Sequence, residues 1–483
     1  MESTLASLGQ IRFRDGERSE SAFSGFDWFH CDGDAIDPVA LAEFPTGYSF
    51  FGGRTLLREA RRTGFFEKAI GGADDTGTSV PAHSKGDASP GKIAEGFRDL
   101  LLLEMRSRVR DCKRVGLLLS GGMDSRVAAA VLATLQKGGG TFEVTCFCWG
   151  RGDTRDPVYA RTIADKYGWG FEHFEVDAEV LLANVEETAR NGCFHSAQHL
   201  HAMPQVAARA RALEMDIMFA ASYGDSIGRA EYGGVHVSKL PPVEGRLRNW
   251  YDLIEPGLFE RCRKETISEI ERCRRLYGEQ SALAINELDQ QLHYMRNMLG
   301  SAMSVIDARV PLAQAFTSAE VVEYMWCFNP GCRNDEVYWH LLNALDKELL
   351  EIPWARTGKP YLQDDAKPDP LPASFHRYAD WAREIKKDLE ARIFSGELER
   401  MNAFNMKAVR KVVDGFMNYR FVQTGRFLEV TLWLASLATL LEELQPPPVR
   451  EGSPPQGMTL RGRMQYHATL VNQYRHFGRR KSK

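Results

Sequence analysis

A short loop with two glycines, two serines and one carboxylate lies between two apolar runs of this sequence. The loop is Ser120-Gly121-Gly122-Met123-Asp124-Ser125; it follows Leu117-Leu118-Leu119 and precedes the apolar run 127–132. The glycines allow a tight turn that brings backbone N–H groups close to a ligand, and the serine hydroxyls add donors at a helix N-terminus. The loop therefore predicts a polyphosphate site.

The carboxylate of Asp124 adds a second requirement. A carboxylate beside bound phosphates repels them unless a divalent cation lies between, so the sequence predicts Mg²⁺ there. Neither G-x-x-x-x-G-K-[ST] nor G-x-G-x-x-G, the patterns of P-loop and dinucleotide-binding proteins, occurs in the chain. The loop instead resembles the SGGxDS loop of the ATP pyrophosphatases. That resemblance implies cleavage of ATP between the α- and β-phosphates, adenylation of a substrate oxygen and release of pyrophosphate.

The elements around this loop alternate between helix and strand. Alternation of this kind indicates a doubly wound parallel sheet that binds ligands at the carboxyl ends of its strands. We therefore expect an α/β fold of the ATP-pyrophosphatase (PP-loop) type with a mostly helical C-terminal part. The predicted strands are 117–119, 143–149, 171–176 and 215–221, and the predicted helices include 94–110, 268–275, 283–303, 318–328, 336–350, 380–396 and 404–444.

A second polar loop follows the predicted strand at 215–221. It reads Ser222-Tyr223-Gly224-Asp225, and its position after a strand places Asp225 at the same edge of the sheet as Asp124. Two carboxylates there could share one metal ion and hold pyrophosphate from both sides. Asp124 and Asp225 are therefore the predicted metal ligands.

The overall composition is that of a globular protein of two to four domains. The 483 residues are 43% hydrophobic and 26% charged, with a formal net charge of −4, so neither nucleic acid nor an anionic membrane is indicated as a partner. The most apolar stretch, 432–441, is too short to span a bilayer, and the first residues lack the apolar region of a signal peptide. These features predict a cytoplasmic protein.

Nine scattered cysteines without a C-x-x-C pair predict reduced thiols.

Changes in composition divide the chain into four parts. The first is a small, degenerate α+β domain with a β-like piece at 48–51 and a helix at 55–62, and the second is rich in Gly, Ser, Asp and Pro, as flexible linkers are. The last combines a Pro-rich break with a basic tail, a composition typical of solvated segments. The predicted parts are an N-terminal domain at 1–70, a linker at 71–92, the main domain at 93–444 and the tail at 445–483.

Four segments together resemble the synthetase domain of the asparagine synthetase family, in that family's order. They are the glycine loop, Ser222-Tyr223-Gly224-Asp225, residues 304–312 and Thr357-Gly358-Lys359-Pro360, and the resemblance covers about residues 94–365. It implies that Lys359 offsets charge that develops during adenylation, and that Arg309 and Asp307 hold charged groups of the substrate. The nucleotide-binding residues that it implies are Leu118, Ser120, Gly121, Gly122, Met123, Asp124, Ser125 and Gly224.

Two departures from that family concern the nucleophile. Members that use glutamine need a cysteine at the mature N-terminus, whereas this chain begins Met1-Glu2-Ser3, so we expect no glutamine hydrolysis within it. Tyr223 stands where those members usually have glutamate and looks like the β-lactam synthetase branch. There a tyrosine pairs with the acid of the later segment and activates an amine of the substrate itself. The resemblance implies that Tyr223 and Asp307 form the corresponding catalytic dyad.

These observations predict an ATP-dependent, AMP-forming amide ligase. Aspartate or a similar small-molecule or peptide carboxylate is adenylated and then attacked by ammonia or an amine. An intramolecular cyclase, similar to β-lactam synthetase or closing a peptide ring, is the alternative. A PP-loop enzyme that modifies RNA is the alternative of another class, although no RNA-binding module is indicated. We expect no nucleic acid and no membrane among the partners, and a homodimer is left open.

One histidine-rich stretch has the composition of a zinc site. Cys193, His195, His199 and His201 lie within nine residues, but their spacing matches no tetrahedral zinc pattern. The sequence therefore does not favour zinc, and we expect one histidine near the nucleotide or the substrate rather than at a metal.

Overall fold

The computed structural model describes residues 10–13, 21–31, 35–62, 83–84, 86–373, 377–423, 425–449 and 457–481. Its strands are β1 (Gln10–Phe13), β2 (Ser21–Ala22), β3 (Ala60–Arg62), β4 (Arg114–Leu118), β5 (Glu143–Trp149), β6 (Gly170–Phe174), β7 (Ile217–Ala220), β8 (Glu231–Tyr232), β9 (Val235–His236) and β10 (Leu312–Gln314). Its helices up to the middle of the chain are α1 (Pro38–Gly47), α2 (Pro90–Val109), α3 (Met123–Lys137), α4 (Arg155–Tyr167), α5 (Ala178–Arg190), α6 (Met203–Ala212), α7 (Gly224–Arg229), α8 (Pro256–Leu276) and α9 (Ala282–Asp289). A π-helical segment, Gln290–Gly300, continues α9. The later helices are α10 (Ser301–Asp307), α11 (Ala319–Trp326), α12 (Asp335–Asp346), α13 (Tyr378–Glu384), α14 (Lys386–Ile393), α15 (Glu397–Arg400), α16 (Met406–Asn418), α17 (Arg426–Leu444) and α18 (Leu460–Lys481).

A parallel sheet of five strands forms the centre of the fold. Its strand order is β10-β7-β4-β5-β6, and each neighbouring pair is parallel. Successive residues of a strand point to opposite faces, so Leu117 joins a buried cluster that includes residues of α2 and α3, and Leu118 joins another that includes residues of α6 and α17. Helices therefore cover both faces, which confirms the predicted doubly wound α/β fold.

The predicted strands agree with the structure to within a few residues, whereas β10 has no counterpart among them. Leu312 at its start pairs with Met218 of β7. Three residues are too few for a strand pattern to be recognised in a sequence. The direction of β10 matters because it determines that Asp307 and Arg309, which precede the strand, lie at its amino end.

Two predictions for the N-terminal region were wrong. Residues 48–51 form no strand, because helix α1 precedes them and Tyr48 ends that helix with a φ of 66°. The predicted helix at 55–62 instead contains β3, which pairs with β1. Asp37 caps α1 by accepting a hydrogen bond from the Val39 N–H at 2.9 Å, and Pro45 inside the helix hides its pattern in the sequence.

The N-terminal region packs on the C-terminal helices. The rings of Phe44 in α1 and Trp433 in α17 are stacked, with centroids 4.6 Å apart and an interplanar angle of 6°. Most of the predicted linker lies outside the described residues, and its last three residues belong to α2. The domain boundaries at 70, 92 and 444 stay predictions.

The C-terminal segments differ from their predictions in two ways. The single helix predicted over 404–444 is two helices, α16 and α17, and the tail forms a helix, α18, most of whose described side chains are exposed. Tyr466 of α18 is 5% exposed, and its ring is stacked with that of Phe427 at a centroid distance of 5.4 Å. Among the described helices, none has both the length and the apolar composition needed to cross a bilayer.

Candidate active site at the carboxyl edge of the parallel sheet

The glycine loop lies between the end of β4 and the start of α3, as predicted. The Ser120 N–H donates to the Ser125 hydroxyl at 3.1 Å, and the Gly122 N–H donates to the Ser120 hydroxyl at 3.1 Å. Gly122 occupies the N-cap of α3 without a capping side chain. The first N–H groups of α3 thus lack a side-chain acceptor at the cap, which is the arrangement in which helix N-termini bind anions.

Gly121 is the point at which three segments meet. Its N–H donates to Asp156 Oδ1 at 3.1 Å, and its carbonyl accepts a hydrogen bond from the Ala355 N–H at 3.1 Å. A Cβ at this position would lie 2.8 Å from the Ala355 Cβ, so only glycine fits. Burial raises the pKa of Asp156, and its bond to Gly121 opposes that rise. The sequence analysis did not single out Asp156, although an acid in the first turn of the helix after β5 is a recognisable signal.

Arg126 attaches the glycine loop to the segment that precedes Lys359. Its buried guanidinium donates to the carbonyls of Leu349 at 2.7 Å, Ile352 at 2.6 Å and Pro353 at 3.0 Å, and to that of Gly121 at 3.2 Å. Four carbonyls from two segments therefore share one side chain. This contact depends on residues more than 220 positions apart in the chain, so no local pattern could reveal it.

Lys359 lies on a tight hairpin that follows this segment. The Trp354 N–H donates to the Lys359 carbonyl at 2.7 Å, and Gly358 turns the chain with a φ of +72°. A Cβ on Gly358 would lie 2.5 Å from the guanidinium carbon of Arg155. The half-buried Lys359 side chain donates from Nζ to the carbonyl of Asp364. The structure therefore places the hairpin of Lys359 against the glycine loop, as the resemblance implies.

The loops after β4 and β7 touch each other through Asp124 and Gly224. A Cβ on Gly224 would lie 2.6 Å from the Asp124 Cβ, and Asp225 follows in the first turn of α7. Burial and the negative charge of Asp124 raise the pKa of Asp225 to about 7. Burial also raises the pKa of Asp124, against the opposing charge of Arg229. The negative charge of Asp124 thus acts on Asp225 across the contact between the two loops.

The carboxylate oxygens in this region are suitable ligands for a hard divalent cation. Mg²⁺ takes oxygen ligands, of which the protein supplies one or two carboxylates when phosphates and water complete the shell. Asp124 and Asp225 are the residues that would hold it. In the described parts of the chain, no group of three or more His, Cys, Asp or Glu side chains is arranged to bind a metal.

Arg229 is a further residue of the site that the sequence analysis missed. Its side chain is 3% exposed, and its guanidinium forms ion pairs with Asp124 at 3.3 Å and with Asp335 at 3.1 Å. Burial opposes its positive charge, but the neighbouring Asp124 raises its pKa above the ordinary value. A permanent positive charge therefore lies between Asp124 and Asp335.

The predicted pair of Tyr223 and Asp307 is not formed. Asp307 accepts hydrogen bonds from the Ser24 hydroxyl at 2.5 Å and from the Leu312 N–H at 3.1 Å. Because Leu312 opens β10, which is parallel to β7, Asp307 lies at the amino end of β10, whereas the glycine loop follows the carboxyl end of β4. Arg309, in the same connection, is exposed and donates to the Val305 carbonyl at 3.0 Å. Among the hydrogen bonds of the described residues, none joins Asp307 or Arg309 to the glycine loop, and their role in the site stays a prediction.

Tyr223 itself is buried beside two cations. Its side chain is 1% exposed, and burial raises the pKa of its hydroxyl to about 12, although the charges of Arg62 and Arg296 favour ionisation. A phenol with that pKa is protonated at neutral pH. Tyr223 is thus a hydrogen-bond donor rather than a ready base.

The histidine-rich stretch has separate partners rather than a common centre. His199 forms an ion pair with Glu429 at 3.2 Å. Nδ1 of His201 is hydrogen-bonded to the Tyr378 hydroxyl at 2.5 Å. The His201 ring also stacks on Trp149, with centroids 5.7 Å apart. Since Trp149 ends β5, His201 lies near the carboxyl end of that strand. That a histidine of this stretch lies near the nucleotide or the substrate stays a prediction.

Comparisons with known proteins point to one family. The asparagine synthase family model matches residues 96–435. The human protein named asparagine synthetase [glutamine-hydrolyzing] is 35% identical over 96 residues, which are 20% of this chain and 16% of the human protein. The protein of the same name from Pongo abelii matches to the same extent. The matched stretch is thus about one sixth of the length of these relatives.

Solved structures of other synthetases show a more distant likeness. The NMN synthetase of Francisella tularensis is 15% identical, covers 50% of this chain and 94% of its own, and has a TM-score of 0.21. The NH3-dependent NAD synthetase of Campylobacter jejuni is 17% identical, covers 42% of this chain and 94% of its own, and has a TM-score of 0.23.

The family match covers well over half of the chain. It spans the glycine loop, the loop with Asp225 and the hairpin with Lys359, which the structure brings into contact. The chain belongs to the asparagine synthase family, a family of ATP-dependent amide ligases.

Proposed function

We propose that this chain adenylates a carboxylate with ATP, releases pyrophosphate and joins the acyl group to ammonia or an amine. The observation that carries the proposal is the meeting of three loops from distant parts of the sequence. Gly224 packs on Asp124, and the Ala355 N–H is bonded to the Gly121 carbonyl. The glycine loop bears the helix N-terminal donors and the carboxylate of Asp124. The loop after β7 bears the carboxylate of Asp225, and the hairpin bears Lys359. This is the set of groups that nucleotide activation of an acid requires.

The glycine loop is the proposed binding site of the phosphates. The hydroxyls of Ser120 and Ser125 and the N–H groups at the start of α3 supply the donors, while Leu118 and Met123 beside them are buried, each in a different hydrophobic cluster. Asp124 and Asp225 would hold Mg²⁺, which offsets the charge of the departing pyrophosphate when it is bound.

The reaction then proceeds in two steps. A carboxylate oxygen of the substrate attacks the α-phosphorus of ATP, the bond to the bridging oxygen breaks, and pyrophosphate leaves. The nitrogen of ammonia or of an amine attacks the acyl carbon, loses a proton and displaces AMP. Lys359 would place a positive charge beside the negative charge that develops on the reacting groups. To do so, its Nζ would leave the Asp364 carbonyl and donate to the substrate instead.

An intermolecular amine fits the geometry better than ring closure by a tyrosine–aspartate dyad. That mechanism needs Asp307 beside Tyr223, whereas the Asp307 carboxylate accepts hydrogen bonds from Ser24 and Leu312 at the amino end of β10. The protonated Tyr223 hydroxyl is suited to donating a hydrogen bond to the substrate. Aspartate and similar small acids are therefore the first substrates to test, and the cytoplasm, where ATP is available, is the proposed location.

The experiment measures pyrophosphate release from Mg·ATP with pools of carboxylic acids, with and without ammonia. We expect release that depends on both an acid and Asp124, with a product 1 Da lighter than the acid when ammonia is the nucleophile. Asp124→Asn should abolish release. Asp216→Asn is the matched control, because Asp216 precedes β7 at the amino edge and only accepts the N–H groups of Lys113 and Arg114.

Each outcome separates the candidates. A product lighter by one water without any added amine would favour the cyclase. Pyrophosphate release that is equal in wild type and Asp124→Asn, or absent with every acid, contradicts the proposal.

A further inference from the structure

Arg229 brings a permanent positive charge directly against one of the two candidate metal ligands. Nη2 of Arg229 lies 3.3 Å from both carboxylate oxygens of Asp124, and Nη1 lies 3.1 Å from Asp335 Oδ1. The residue closes α7, the helix whose first turn carries Asp225. One guanidinium thus links Asp124 to a third carboxylate and stands on the helix that carries the other candidate metal ligand.

The guanidinium is held in this position from several sides. Its central carbon lies 4.9 Å from the ring centroid of Tyr338 and 5.8 Å from that of Trp354. Asp335, its outer partner, also accepts a hydrogen bond from the Tyr361 hydroxyl at 2.8 Å. With only 3% of its side chain exposed, Arg229 cannot exchange these partners for water without unpacking the site.

The balance of charge determines how this cation acts on a metal. Asp124, Asp225 and Asp335 carry at most three negative charges, of which Arg229 offsets one. A divalent cation that binds alone must approach a fixed positive charge in a site partly removed from water, where repulsion between like charges is stronger than in bulk solvent. The phosphates of ATP reverse this penalty, because they attract both the guanidinium and the metal.

We propose that Arg229 makes divalent-metal binding depend on the nucleotide, so that the chain takes up metal together with ATP and not before it. This inference rests on the proposed function, because it presupposes ATP as the ligand of the glycine loop. Arg229 is on this view a positioning residue: it holds Asp124 in place and suppresses its capture of free cations.

The test measures binding of Mn²⁺, a paramagnetic substitute for Mg²⁺, to the full chain by electron paramagnetic resonance of the free ion. Titrations are run with and without α,β-methylene-ATP, an analogue that cannot release pyrophosphate. For the wild type we expect a Mn²⁺ dissociation constant at least tenfold lower with the analogue than without it. For Arg229→Met we expect at least tenfold tighter binding without the analogue.

Two variants serve as controls. Arg274 also bridges two carboxylates, Glu244 at 2.7 Å and Asp289 at 2.6 Å, but on α8, so Arg274→Met should leave Mn²⁺ binding unchanged. Arg229→Lys keeps the charge and should keep the dependence on nucleotide. Circular dichroism establishes that each variant is folded.

Either of two results overturns the inference. One is equal Mn²⁺ affinity of the wild type with and without the analogue, and the other is an unchanged nucleotide-free affinity in folded Arg229→Met. If that variant does not fold, the wild type and Arg229→Lys decide. The nucleotide-free comparison needs no turnover, so its failure is distinct from a failure to adenylate any acid.

Discussion

Gly224 rests on the side chain of Asp124: a Cβ on this glycine would lie 2.6 Å from the Asp124 Cβ and 2.7 Å from its Cγ. The loop after β7 therefore depends on the absence of a side chain for its approach to the loop after β4. Because Asp225 follows Gly224 directly, this contact also determines how far apart the two candidate metal ligands lie.

Substitution of this glycine tests whether the contact is needed. We expect Gly224→Ala to displace Asp124 and to lower the rate of pyrophosphate release at least tenfold, about 1.4 kcal/mol in the activation free energy. The free energy of unfolding should fall by about 1–3 kcal/mol, as is typical of an overpacked site. Gly331→Ala is the control, because a Cβ there meets no heavy atom within 4 Å. Wild-type rates in Gly224→Ala would show that the loops are farther apart in solution.

Arg126 offers a test of how the hairpin is attached. Arg126→Met leaves four carbonyls without this donor, and each unsatisfied buried carbonyl costs about 1–3 kcal/mol. We expect the free energy of unfolding, measured with urea, to fall by about 3 kcal/mol or more, together with a loss of pyrophosphate release. Arg209→Met, which removes an exposed ion pair with Glu172, should cost less than about 1 kcal/mol. Similar losses in the two variants would contradict the role of Arg126.

The sequence was sufficient for the parts of the site that follow from local pattern and sheet topology. An apolar run, two glycines and a small-residue run define the strand, loop and helix around Ser120. Asp124 and Asp225 each follow a strand, and parallel strands bring their carboxyl ends to one edge. For this reason the meeting of these two acids could be predicted, although their distance could not.

Other features depend on contacts that leave no local signal. Arg229 and Arg126 look like ordinary helix residues, and only their partners from distant segments reveal what they do. The family resemblance groups Asp307 with the site, but its carboxylate binds Ser24 and Leu312 at the amino end of β10. Three residues of strand cannot be recognised by periodicity, so these contacts could not be known in advance.

The positions of Tyr223 and Asp307 lead to a prediction about additivity. If the two residues do not form a catalytic pair, their substitutions should act independently on the rate of pyrophosphate release. We expect the effects of Tyr223→Phe and Asp307→Asn to add within about 0.5 kcal/mol in the double variant. We also expect Asp307→Asn alone to act mainly on stability, because it weakens the bonds from Ser24 and Leu312. A coupling energy above about 1 kcal/mol would restore the dyad hypothesis.

His195 should make the stability of the fold depend on pH. Burial lowers the pKa of His195 to about 3, and the positive charge of His199 acts in the same direction, whereas Glu429 and the Ser196 carbonyl oppose it. In the unfolded chain a histidine titrates near the ordinary value of about 6.5. The unfolded state therefore binds a proton as the pH falls through 6.5 and the folded state does not. The free energy of unfolding should fall below pH 6.5 by up to about 1.4 kcal/mol per pH unit from this residue.

Urea denaturation at several values between pH 4.5 and pH 7.5 measures this contribution of His195. In His195→Leu the fall of the unfolding free energy with decreasing pH should be shallower than in the wild type, because the proton uptake of the unfolded state is removed. His30→Leu is the control: the His30 side chain is 82% exposed, so its replacement should leave the slope almost unchanged. An identical slope in wild type and His195→Leu would mean that His195 is protonated to the same extent in the folded and unfolded chains, contrary to its complete burial.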